Sequence, residues 1–120
     1  MAAYSNTTLE SNNMQAKIKK LLELDPRECF TINNSRFECH FMKRSGKPFS
    51  EWKKDENSPS LFCETKLRVY DNTDRGIYYD GLVLVQRDDT MEHPLNAVLY
   101  VKKTGSEKWQ SMHAITSIIV

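Results

Sequence analysis

The feature that most restricts this chain is a single change of hydrophobic period at Asp25-Pro26. Before it, Met14, Ile18, Leu21 and Leu22 recur at i, i+4, i+7 and i+8, one stripe of an amphipathic helix, with Lys17, Lys19, Lys20 and Glu23 around the rest. A residue that precedes proline avoids the helical region, so the helix ends near Leu24. Thr8, Ser11 and Asn12 offer N-caps, which predicts a start at Leu9 or Asn13. Beyond Pro26 the period is 2, and nothing returns to a sustained helical spacing.

Phe30 and Ile32 alternate with Cys29 and Thr31, and Phe37, Cys39 and Phe41 alternate with Arg36, Glu38 and His40. Asn33-Asn34-Ser35 between them tolerates left-handed backbone, so the two runs form a hairpin. Residues 45–60, with Gly46, Pro48 and Pro59, form a long connection. Strand pattern resumes over 61–70, 77–86 and 95–103, separated by Asp- and Gly-rich turns. The last segment, 108–120, is read as strand because Ile115, Thr116, Ile118, Ile119 and Val120 are all β-branched. The expected fold is α+β: one N-terminal amphipathic helix on a five- to six-stranded antiparallel sheet, either flat or curled into a half barrel. Residues 1–8 are expected to be a flexible N-terminus and 9–120 a single domain, since 120 residues suffice for one core.

No apolar run is long enough to span a bilayer, and the start lacks the layout of a signal peptide, so a cytoplasmic or nuclear, non-secreted protein without a membrane partner is expected. Cys29, Cys39 and Cys63 are then read as reduced core residues. Net charge is +1, but Lys17 to Arg68 holds twelve basic and eight acidic residues, against five and seven from Tyr70 onward. One face can therefore be basic on a nearly neutral molecule.

Residues 43–54 concentrate that charge. Lys43, Arg44, Lys47, Lys53 and Lys54 stand against Glu51, a net of +4, with Phe49 and Trp52 between them. Exposed Trp and Arg suit a protein interface, and aromatic faces beside cations suit single-stranded nucleic acid. Both uses require the two rings to stand in water. The alternative is that Phe49 and Trp52 pin the loop to the core. Tyr70, Tyr78 and Tyr100 are secondary candidates, because an uncovered aromatic sheet face is a platform for a ligand or a base.

Chemistry has no comparable signal. There is no phosphate-binding glycine loop, nucleophile elbow or paired histidine on a helix. Asp71, Asp74 and Asp80, and again Asp88, Asp89 and Glu92, fall in or beside turns, where Asp bonds its own backbone. Cys39-His40, Cys63, His93 and His113 lack the close paired spacing of structural zinc, and neighbours such as Cys39 and His40 point to opposite strand faces. No metal, cofactor or catalysis is expected. The expected function is a small non-catalytic binding protein, of the inhibitor, adaptor or host-directed accessory kind. It engages a protein partner through 43–54 and a sheet edge, where the apolar end 117–120 could also pair with a second copy in a homodimer. The alternatives are a single-stranded nucleic-acid-binding module using the same loop, and a half barrel holding a small ligand among its tyrosines.

Overall fold

The computed structural model describes residues 2–74 and 77–120, with side chains from Asn12 onward. Among the described residues one helix, α1 (Ala2–Leu22), precedes eight strands: β1 (Cys29–Ile32), β2 (Phe37–Phe41), β3 (Lys53–Lys54), β4 (Leu61–Asp71), β5 (Tyr78–Arg87), β6 (Leu95–Lys103), β7 (Ser111–Ala114) and β8 (Ile118–Ile119). They form one antiparallel sheet in the order β7-β6-β5-β4-β2-β1-β8, with β3 laid on β4. This is an α+β domain, as expected, but the sheet exceeds five or six strands. Two short pieces make the difference: Lys53 and Lys54 pair with Phe62 and Leu61, and the C-terminal segment breaks into β7 and β8. The helix begins earlier than its candidate caps suggest. The expected flexible stretch 1–8 falls where side chains lie outside the described ones.

Alternation decides what each strand buries. Phe30, Ile32, Phe37, Cys39, Leu67, Val69, Val83, Val85, Leu99 and Val101 all face inward and are buried, while their neighbours along each strand face out. Gly81, at the middle of β5, faces inward too, and a Cβ there would run into the Cγ2 methyl of buried Val69. Cys39 and Cys63 belong to this core, but Cys29 does not. It faces outward and is exposed, which corrects the reading of three buried thiols.

The sheet is curled rather than flat, and the connection between its last two strands requires it. β7 and β8 stand at opposite ends of the strand order, yet residues 115–117 alone join them. Ile115 is buried at this join. Asn33 sews it together. Its amide donates to the Ala114 carbonyl (3.0 Å), its Oδ1 accepts from the Thr116 backbone N–H (2.7 Å), and its own N–H donates to the Ser117 carbonyl (3.0 Å). Asn33, Asn34 and Ser35 reach this position with φ of 53°, 56° and 64°, in the left-handed region where Asn is the most tolerant of ordinary residues.

α1 fills the remaining gap between β6 and β8. β7 reaches only as far as Val98 on β6, so the start of β6, paired with β5 on one side, lacks a strand partner on the other. Gln15 supplies one, accepting from Leu95 N–H (2.8 Å) and donating to Leu95 O (2.7 Å). Lys17 Nζ donates to the Ile118 carbonyl at 2.8 Å. Ile18 and Leu21 drop into the core, with Met14 and Leu22 packed beside them, as the helical stripe predicts. Two carbonyls that an added strand would use, those of Ala114 and Ile118, are thus already engaged. No described helix is long and apolar enough to cross a membrane.

Candidate functional site

The basic segment 43–54 is a fixed ledge rather than a free loop. Gly46, at φ 76°, allows the turn that follows Phe41 and the outward Lys43 and Arg44. The buried Thr65 hydroxyl donates to the Pro48 carbonyl (2.8 Å). Two residues on, Ser50 N–H donates to Glu64 O (2.9 Å) and Glu64 N–H donates to Ser50 Oγ (3.1 Å). β3 then continues the attachment to β4.

Between these clamps Phe49 is core. It is 8% exposed, with its ring edge-on to Phe41 at 6.1 Å. Trp52 is half-buried against the core, and the Arg87 guanidinium lies 4.8 Å over its ring. Of the two orientations the sequence leaves open, the inward one holds for Phe49 and in part for Trp52, so the condition that both rings stand in water is not met. Burying a Phe side chain contributes about 1.5–3 kcal/mol, and a connection this long gains its fixed shape from that anchor. All five cations, Lys43, Arg44, Lys47, Lys53 and Lys54, remain exposed. Under the ledge an open cleft of about 680 Å³ runs between Leu22, Lys43, Lys47, Phe49, Trp52 and Cys63. Burial pushes the Cys63 thiol up to about 11 and raises Cys39 further, so neither is a ready nucleophile or ligand.

The tyrosines stand on the outer sheet face. Tyr70 and Tyr78 are cross-strand partners with ring centroids 6.0 Å apart. His40 meets Tyr70 edge-on at 5.5 Å, and the Arg68 guanidinium lies 5.2 Å over Tyr78. Tyr100 belongs to a different cross-strand row, between Leu82 and Met112, with Trp109 at 6.1 Å and Lys102 Nζ 5.0 Å over the Trp109 ring. The curled interior behind them is filled by the core, so the three phenols do not enclose the pocket that a small-ligand reading needs.

Two surface hollows join this face to the ledge. Arg44 shares one of about 290 Å³ with His40, Met42, Arg68 and Tyr70, and Lys43 shares another of about 440 Å³ with Met42, Lys66 and Leu82. The ledge and the Tyr70–Tyr78 pair form one continuous surface, although they are separate runs in the sequence. His40, Lys66, Arg68 and Trp109 were missed. The signal for two of them was available, since Lys66, Arg68 and Tyr70 share one face of β4 by period 2, whereas His40 comes beside Arg68 only through the β2–β4 register.

The acidic clusters behave as turn residues. Asp71 Oδ1 accepts from Thr73 N–H (3.0 Å) and hydroxyl (2.6 Å), and Asp88 Oδ1 does the same with Thr90 at the same two distances. Cys29, Glu38 and His40 bring their donor atoms within 4.8 Å of one another on the outer hairpin face, a set the sequence reading did not name.

At one end of the sheet, His113 stacks on Phe37 at 4.9 Å, and its Nε2 lies 3.0 Å from Ser111 Oγ. Burial and then the charge of Arg36 hold His113 below the ordinary 6.5, with Asp71 partly opposing. A lowered histidine favours the neutral form in the folded state. Its contribution to stability is therefore full above the unfolded-state value and is lost as pH falls through the folded one. Urea midpoints should drop from about pH 7 to about pH 5.5, and His113→Gln should flatten that drop. An identical pH dependence in the variant would assign the effect elsewhere.

Searches against protein-family models, curated proteins and solved structures find no significant match to this chain.

Proposed function

We propose that this domain binds single-stranded nucleic acid, with the ledge tracking phosphates and the outer sheet face receiving bases. The observation that supports this reading is contiguity: Arg44 of the ledge lines the same hollow as Tyr70 and Arg68, and Tyr78 lies beside them. Cations supply the attraction to phosphate, and exposed aromatic faces stack any base. In this reading the domain performs no catalysis.

The burial of Phe49 removes one aromatic anchor from both uses of the loop, and the nucleic-acid reading stands on Tyr70 and Tyr78 as stacking faces in its place. One observation keeps the protein-partner reading second. Leu82, Tyr100 and Met112 lie across β5, β6 and β7 on the outer face, and Met42 stands beyond Lys66 of β4 in the same row, with Met42 51% and Met112 64% exposed. Apolar centres with Met, Tyr and Arg at hand are typical of interfaces.

The test is fluorescence anisotropy with a labelled single-stranded RNA of mixed sequence. Affinity should fall about 100-fold from 50 to 200 mM salt if five phosphates are neutralised. Glutamate at Lys43, Arg44, Lys53 and Lys54 together should abolish binding, and Tyr78→Ala should cost about 1–3 kcal/mol. Absence of binding at 50 mM salt, or binding indifferent to the four reversals, overturns the proposal and leaves the apolar row as the surface to pursue.

A further inference from the structure

We propose that Cys29, Glu38 and His40 form a site for a thiophilic divalent cation, zinc foremost, on the outer face of the β1–β2 hairpin. The backbone alone sets most of it. Period 2 places Glu38 and His40 on the same face of β2, and Cys29 is the direct cross-strand partner of His40 on β1. Two ligands at i and i+2 on one strand and a third beside them on the next strand converge on a point above the sheet. The left-handed turn at 33–35 fixes the register that aligns them.

Distances agree with this use. Zinc bonds of about 2.0–2.3 Å place tetrahedral ligand atoms roughly 3.3–3.6 Å apart. His40 Nε2 and Glu38 Oε2 are 3.3 Å apart, already at that separation. The three donor atoms lie within 4.8 Å of one another, so a closure of about an ångström brings the set to tetrahedral separation. Tyr70, edge-on to His40 at 5.5 Å, restrains the imidazole from the other side.

The chemistry agrees as well. Thiolate sulfur, imidazole nitrogen and carboxylate oxygen are the zinc ligand set, and the thiolate with the carboxylate offsets the charge of a dication. Binding releases the thiol proton to solvent and leaves a fourth position for water. Cys29 is exposed while Cys39 and Cys63 are buried, so it is the one thiol of the three that presents to an incoming ion.

The full-length reduced protein should be titrated with Co²⁺ as an optical probe and then with Zn²⁺. One equivalent of Co²⁺ is expected to produce a near-ultraviolet thiolate-to-metal band that Zn²⁺ abolishes. Cys29→Ser should remove the band. Glu38→Gln and His40→Asn should each weaken binding by more than the about 10- to 100-fold that outer-shell partners are worth. These three positions are at the surface, and far-ultraviolet circular dichroism verifies that each variant is folded. A band that survives Cys29→Ser, metal affinity unchanged in Glu38→Gln and His40→Asn, or no stoichiometric binding would each overturn the site.

Discussion

Leu21→Ala should lower the unfolding free energy by about 2–5 kcal/mol, a large share of what a domain of this size possesses. Leu21 is fully buried at the place where α1 closes the gap between β6 and β8. Removing three carbons there leaves a cavity between a helix and two strand ends that are already tied by Gln15 and Lys17, so the walls have little freedom to collapse. Urea unfolding should show a lower midpoint with an unchanged slope. Lys20→Ala, on the exposed side of the same turn, should stay within about 0.5 kcal/mol. Equal effects at the two positions would mean that the helix is not docked as described.

Gly81→Ala is expected to destabilise by about 1–3 kcal/mol, and its sign is what makes it informative. Within a strand, replacing glycine by alanine ordinarily helps by roughly 0.5–1 kcal/mol, because the unfolded chain loses freedom. At position 81 the new methyl must displace the stiff side chain of Val69, and the Leu99 methyl and Tyr100 carbonyl, each 3.6 Å away, limit the escape. The double variant Gly81→Ala/Val69→Ala should be less destabilised than the sum of the two single changes, with a coupling energy measured by the full cycle. Additive effects would show that the two positions are not in contact.

Local signals in the sequence were enough for the hairpin 29–41, the three long strands and the buried helical stripe. Each is written in side-chain period and turn chemistry, which act over a few residues. What escaped depends on contacts far apart in the chain. Nothing near 111–119 announces that β7 pairs with β6 while β8 crosses to β1, because that follows from curvature and from Asn33, about eighty positions earlier. The orientation of Phe49 stays open in the sequence for the same reason: the partners of Pro48 and Ser50 that turn it inward sit on β4. The candidate surface was half legible. Its cations were visible as a run, whereas their adjacency to Tyr70 and Tyr78 is a product of sheet register.

The pairing of β8 with β1 gives the molecule a timetable. Thr31 and Ile119, 88 positions apart (119 − 31), are cross-strand partners. At about 5–20 residues per second of synthesis, one side of β1 waits roughly 4–18 s for its neighbour to emerge from the ribosome. During that interval the nascent hairpin offers unsatisfied backbone groups to any other extended chain, and closing so distant a contact is intrinsically slow. Yield in the cell should therefore be governed as much by what shields that young edge as by the stability of the finished protein.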